Sequence, residues 1–167
     1  MKKIGLLSDT HSFIHNEMLE FLSGCDEIWH AGDIGDLKIV ASLENIAPVR
    51  AVYGNIDGTS IRQHYPENQI FEIAGKKIYI THIGGYPGKY QPAARKIIEQ
   101  EKPDLFISGH SHILKVIHDD KYHLLHINPG AAGKVGLHKY ATAITFQIEN
   151  NNFENLRVFE KERKKLK

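Results

Sequence analysis

At 167 residues, 41% of them hydrophobic, the chain has the length of one domain that buries a substantial core. Lys and Arg total 21 against 20 for Asp and Glu, and a net charge of +1 excludes a global field for nucleic acid or an anionic membrane. One cysteine, Cys25, excludes an internal disulfide, and no run approaches the ~20 apolar residues of a membrane-crossing helix.

Lys2-Lys3 precede too few apolar residues for a signal-peptide core, so the expected location is cytoplasmic. The opening run Ile4-Gly5-Leu6-Leu7 reads as a buried strand of a mostly parallel sheet. His15 to Ser23 then places Met18, Leu19, Phe21 and Leu22 on one helical face, with Asn16 or Ser12 available as a cap. A strand at Glu27 to His30, a helix over Leu37 to Leu43 and a strand from Val49 to Tyr53 continue the βαβαβ rhythm of parallel crossovers.

Beyond residue 68 the pattern changes. Gln69 to Ile73 and Lys77 to Thr81, joined through Ala74-Gly75-Lys76, read as an antiparallel hairpin, followed by the glycine-rich loop Gly84 to Gly88. A helix from about Pro92 to Gln100, stopped by Pro103-Asp104, leads into the strand Leu105 to Ser108. Strand-like runs at Leu114 to His118, Tyr122 to Ile127, Thr142 to Ile148 and Phe153 to Phe159 finish an antiparallel half. Residues 1–160 form the expected single domain, and 161–167 a basic tail that reads as a solvated end or a short helix.

The first strand delivers Asp9 and His11 two positions apart, a spacing that converges on one metal ion while the chain stays extended. Four more apolar runs end in similar clusters: Ala31-Gly32-Asp33, Gly54-Asn55, Thr81-His82 and Gly109-His110-Ser111-His112. Singly, Asp9 or Asp33 reads as a helix cap, Gly54-Asn55 as a tight turn and His82 as a structural histidine. Together they place every candidate ligand at a strand's carboxyl end, where such sheets open a crevice.

In this order the five clusters resemble the calcineurin-like metallophosphoesterase family, whose signature runs Asp-x-His, Gly-Asp, Gly-Asn, His, Gly-His-x-His. The short chain and Asn128-Pro129-Gly130 look most like its small bacterial and archaeal phosphodiesterase branch. The resemblance implies a four-layer α/β/β/α sandwich of two mixed sheets flanked by helices. It implies a first divalent ion on Asp9, His11 and His112, a second on Asn55, His82 and His110, and Asp33 bridging, with Asp33, Asn55 and His110 nearest the reaction. The implied activity is hydrolysis of a small-molecule phosphate ester, preferably a diester, by a hydroxide between the ions. Imidazole, amide and carboxylate ligands suit Mn, Fe, Ni, Co and Zn alike, and of these Mn²⁺ is the first expectation. The alternative is a non-catalytic protein-binding scaffold on the same fold, similar to the retromer-coat subunit, and a homodimer or homotetramer is a family-level expectation. Nucleic acid is disfavoured as a partner, because no aromatic and basic interleaving accompanies the balanced charge.

The sequence departs from the pattern at two places. Many relatives place a His after Gly-Asn, where it helps protonate the leaving oxygen; here Ile56 can do neither that nor bind phosphate. The companion His of a His-Gly-His is also missing, since the chain reads His82-Ile83-Gly84, which leaves Tyr86, Lys89 or Tyr90 as possible substrate contacts. His15, His30, His64, His118, His123, His126 and His138 match no ligand position, with His30 a possible support for the metal site. Cys25 and Trp29 read as core residues, Asp36 as a group that orients its loop, and Asp57 as one available to position a histidine or a substrate group.

Overall fold

The computed structural model describes residues 1–164. A first sheet has the order β12-β11-β1-β2-β3, built from β1 (Lys2–Leu7), β2 (Glu27–His30), β3 (Val49–Ala51), β11 (Tyr140–Glu149) and β12 (Asn152–Glu162). β1, β2 and β3 run parallel, with Leu7 opposite His30 and His30 opposite Ala51, so their carboxyl ends are level. The intervening segments are α1 (Asn16–Leu22) and α2 (Leu37–Glu44), as the apolar periodicity predicts.

The second sheet has the order β4-β5-β8-β10-β9 and comprises β4 (Asn68–Ile73), β5 (Lys76–Thr81), β8 (Leu105–Ile107), β9 (Leu114–Asp119) and β10 (Leu124–Pro129). The antiparallel reading of this half needs correction, because β5, β8 and β10 are mutually parallel and only β4 and β9 oppose them. α4 (Pro92–Glu101) supplies the β5–β8 crossover, the edge strand β9 returns the chain from β8 to β10 and pairs antiparallel with β10, and each sheet is therefore mixed.

Period-two alternation assigns each strand's side chains to two layers. Ile4, Leu6 and Trp29 point from the first sheet to meet Ile78, Ile80, Ile107 and Ile127 of the second. Trp29 anchors that seam edge-on to Phe71 at 5.2 Å and Phe146 at 5.8 Å. Leu7 and Ile28 face the other way, against Met18 and Leu22 of α1 and Ile39 and Leu43 of α2. Tyr79, Phe106 and Leu124 pack on Ala94 and Ile98 of α4. The layers are thus helices, sheet, sheet, helix.

Several local expectations differ. α1 starts after His15, which gives no side-chain cap, and Asn16 is its first helical residue. A short helix, α3 (Thr59–His64), went unread because Gly58 and the polar Thr59-Ser60 offer no apolar period. The glycine-rich loop contains a two-stranded ribbon, β6 (Gly85–Tyr86) with β7 (Lys89–Tyr90). α4 ends at Glu101 on Lys102 in the left-handed region, ahead of Pro103. Lys161 and Glu162 continue β12, since cross-strand pairing with Tyr140 and Ala141 extends the ladder. The helical reading of the tail fails there, and its positions 165–167 lie outside the described residues. Cys25 is buried beside Gly5, where a Cβ would meet Leu22 Cδ2 at 2.7 Å, so α1 rests directly on the strand backbone.

Candidate metal centre

Loops following β1, β2, β3, β5 and β8 carry the candidate ligands to one place. They are zipped together by main-chain bonds that prolong the sheets: Asp9 N–H to Gly32 O at 2.9 Å, His11 N–H to Asp33 O at 3.0 Å, and Gly109 N–H to His82 O at 2.9 Å. The chain at Asp9 and His11 is not extended. Asp9, His11, Asp33, His110 and His112 all adopt φ between 47° and 70°, a region that Asp and His tolerate better than most side chains but at a cost of order 1–3 kcal/mol each. Reversing the backbone at each ligand turns its side chain inward, and the interloop bonds over-determine that conformation.

Each carboxylate holds one oxygen for the protein and aims the other at imidazoles. Asp9 Oδ2 accepts from Ser8 Oγ at 2.7 Å and His110 N–H at 3.2 Å. Its Oδ1 faces His112 Nε2 at 3.3 Å and His11 and His82 Nε2 at 3.8 Å. Asp33 Oδ1 accepts from Ile56 N–H at 3.0 Å, while Oδ2 lies 3.2 Å from His82 Nε2 and 3.5 Å from His11 Nε2. Two groups result, Asp9–His11–His112 and Asp33–His82–His110, the ligand atoms of each lying within 4.8 Å of one another. Asn55 joins the second through Oδ1, 3.0 Å from His110 Nδ1. All seven candidate residues therefore meet, and Asp33 Oδ2 sits between the two groups.

The donor set fits cations. His82 Nδ1–H donates to Ala31 O at 2.7 Å, which leaves Nε2 with a lone pair facing the Asp33 carboxylate. Asp9 Oδ1, His11 Nε2 and His82 Nε2 are buried without a hydrogen-bond partner among the described residues. Such orphaned atoms, mutually repulsive when bare, are reconciled by a positive charge between them. The same demand appears in their proton affinities. Burial raises the carboxyls of Asp9 and Asp33, but the facing histidines more than offset it and hold both below the usual carboxylate range. His11 is raised chiefly by Asp9, and His82 is raised because Asp33 and Asp9 outweigh its burial.

A second tier of residues aims these loops. His30 is fully buried; its Nδ1 accepts from Gly32 N–H at 3.1 Å, so Nε2–H donates to Thr10 Oγ1 at 3.0 Å, whose hydroxyl donates to Ile34 O at 2.9 Å. Asp57 is buried and accepts three backbone N–H groups, from Ile34, Gly35 and Gly54 at 2.8–3.1 Å, tying the Asp33 and Asn55 loops together. Asn128 donates to Gly109 O at 2.9 Å and Ser111 Oγ at 3.1 Å, which gives Asn128-Pro129-Gly130 its task of holding the His110–His112 loop. Close approach dictates two glycines: a Cβ at Gly54 would lie 2.1 Å from Asp33 Oδ1, and one at Gly109 2.2 Å from Ser8 Oγ.

Other expected contacts are used elsewhere. Asp36 caps α2 by accepting from Lys38 N–H at 2.9 Å. Tyr86 bonds the Ser111 hydroxyl and Tyr90 donates to Asp119 Oδ2 at 2.7 Å, so neither hydroxyl awaits a substrate, and Lys89 lines a separate cavity with Tyr90. The sequence reading missed Asp57's three-fold acceptor role and the Asn128 clamp, although Asp57's place three residues after Gly54 was a usable signal.

A two-sheet α/β sandwich whose strand-end loops converge a carboxylate- and imidazole-rich cluster defines the class of metal-dependent phosphoester hydrolases. Residues 1–151 match the calcineurin-like phosphoesterase superfamily domain, and the chain belongs to that family. It is 34% identical over 134 residues to a probable metallophosphoesterase of Methanocaldococcus jannaschii, covering 77% of this chain and 67% of that one. A solved archaeal phosphodiesterase, described as novel, superimposes with a TM-score of 0.75 at 26% identity over 95% of this chain and 99% of that one. Vps29 of Chaetomium thermophilum also reaches a TM-score of 0.75, at 14% identity over 98% and 100% of the two chains, a likeness of fold alone.

Proposed function

We propose that the chain is a dinuclear metal-dependent phosphodiesterase. The observation that supports this most is the set of orphaned buried donors, Asp9 Oδ1, His11 Nε2 and His82 Nε2, converging between two ligand groups. Asp9, His11 and His112 would hold one divalent ion, Asn55, His82 and His110 the other, and Asp33 would bridge, with Mn²⁺ the first choice of metal. Bound there, the ions would supply Lewis-acid activation of water and neutralise phosphoryl charge.

The protein's own residues do the rest. Ser8 and the Ile56 N–H keep the Asp9 and Asp33 carboxylates turned so that their free oxygens face inward. Asn55 orients the His110 ring through Nδ1, and His110, exposed at the mouth, is placed beside the incoming phosphate. Ile56 stands at the mouth without a transferable proton, so the leaving oxygen departs best as a stable anion, which favours diesters with acidic alcohols. Resemblance to the archaeal phosphodiesterase supports the diester over the monoester. The scaffold reading gains only a shared fold, and a complete ligand set weighs against it.

The test is hydrolysis of bis-p-nitrophenyl phosphate by metal-stripped protein titrated with Mn²⁺, with p-nitrophenyl phosphate in parallel. Metal-dependent turnover that favours the diester is expected. A monoester preference would reverse the substrate class, and no turnover by folded, metal-binding protein would transfer support to the scaffold.

A further inference from the structure

Two cavities flank the centre, and each borrows wall residues from a different side of it. One of about 220 Å³ is lined by Asn55 and His82 with Tyr53, Arg62, Glu67 and Ile83. The other, about 210 Å³, is lined by His112 with Ile113, Leu114, Tyr140, His138 and Glu160. Ile83 and Ile113 directly follow ligand residues, yet are 43% and 41% exposed, and Tyr140 is 40% exposed. Large apolar side chains left open beside a polar cluster are surface that a ligand can cover.

The chemistry of a diester matches this pairing. A tetrahedral phosphorus held among the ligands sends its two ester substituents apart, and a monoester has only one to place. Arg62 is preorganised in the first cavity. Its guanidinium lies 4.3 Å from the Tyr53 ring centroid and its Nε donates to Asp57 O at 2.6 Å, while Nη1 makes no hydrogen bond among the described residues. Arg62 and Glu67 thus offer a donor and an acceptor. In the second cavity the Thr142 hydroxyl is already given to Pro129 O at 2.6 Å, and beside His138 and Glu160 the wall is made by Ile113, Leu114 and the Tyr140 ring, the apolar surface of the pair.

We propose that the two cavities receive the two arms of a phosphodiester, a hydrogen-bonding arm against Arg62 and Glu67 and an apolar arm against Ile113 and Tyr140. This rests on the phosphodiesterase reading above and narrows its substrate class to diesters with one polar and one apolar alcohol.

Dimethyl-, methylphenyl- and diphenylphosphinate carry the same charge and have no ester bond to cleave, so they isolate the arms. Calorimetric titration into the Mn²⁺-loaded full chain should show affinity rising about tenfold with the first phenyl ring, which the apolar cavity receives, and at most about twofold with the second, which must enter the polar one. Ile113→Gln, at an exposed position in the apolar cavity, should narrow the methylphenyl-to-dimethyl ratio. Arg62→Met should lower kcat/KM about tenfold for p-nitrophenyl thymidine 5′-phosphate and at most twofold for bis-p-nitrophenyl phosphate. Equal affinity for all three phosphinates, or an equal tenfold gain from each ring, would overturn the division into one apolar and one polar arm. Equal losses on both esters would overturn the assignment of the polar arm. Failure of dimethylphosphinate and inorganic phosphate to bind with Mn²⁺ present would instead overturn the phosphoesterase reading itself.

Discussion

Single atoms at this centre have divided duties. Asp33 spends Oδ1 on the Ile56 N–H and keeps Oδ2 for the histidines, so Asp33→Asn retains the backbone bond while removing the negative charge. We expect this variant to melt within a few degrees of wild type yet lose at least ~10³-fold in bis-p-nitrophenyl phosphate turnover; undiminished activity would refute Asp33's place in the reaction. Ile56 gives the opposite experiment. It is 47% exposed, and its N–H rather than its side chain serves Asp33, so Ile56→His should fold normally. A proton donor there should raise turnover of a diester with a poor alkyl leaving group by about 10²-fold, and far less with nitrophenolate, as general-acid catalysis requires.

At the scale of elements, the site is a set of loop ends held by groups that never face the crevice. Asp57 joins the loops after β2 and β3 through three N–H bonds, each charge-assisted and shielded from water. Asp57→Ala should therefore cost about 2–3 kcal/mol in a urea titration and weaken Mn²⁺ binding, whereas Asp57→Asn, which keeps an acceptor oxygen, should cost less. Gly109 controls the next loop. Gly109→Ala would press a methyl into Ser8 and Asp9, and its expected signature is loss of metal affinity larger than its loss of stability.

Over the whole molecule, two buried neutral histidines set the response to acid. Burial pushes His30 and His126 down to about 4, below the 6.5 of an unfolded histidine. The unfolded chain then binds protons first, so these groups are neutral to stability above pH 6.5 and destabilise progressively as pH falls from 6.5 to 4. His126 lies among the Phe106, Tyr86 and Tyr90 rings with both nitrogens unpaired among the described residues. His126→Leu should consequently lose about 2 kcal/mol less stability than wild type between pH 7 and pH 5 in metal-free protein. Comparison with wild type cancels the opposite contribution of His11 and His82, whose raised affinities add stability as they protonate.

The order of the ligands was legible because each cluster follows an apolar run, and three of the five, Gly32-Asp33, Gly54-Asn55 and Gly109-His110, open on a glycine, signals written within a few residues. Strand spans such as Glu27–His30 and the hairpin of β4 and β5 were equally local, set by side-chain period. The parallel course of β5, β8 and β10 was hidden because period reports burial and says nothing of strand direction. The left-handed turns at Asp9 and His11 were hidden too, since nearest neighbours allow either backbone and bonds from Gly32 and Asp33 select one. So the amino-acid sequence by itself determined which side chains are brought together as candidate ligands, through residue type and local pattern. Only the tertiary structure decided their aim, Asp57's hold on the two loops and the cavities on either side, because those depend on backbone groups brought together from distant parts of the chain.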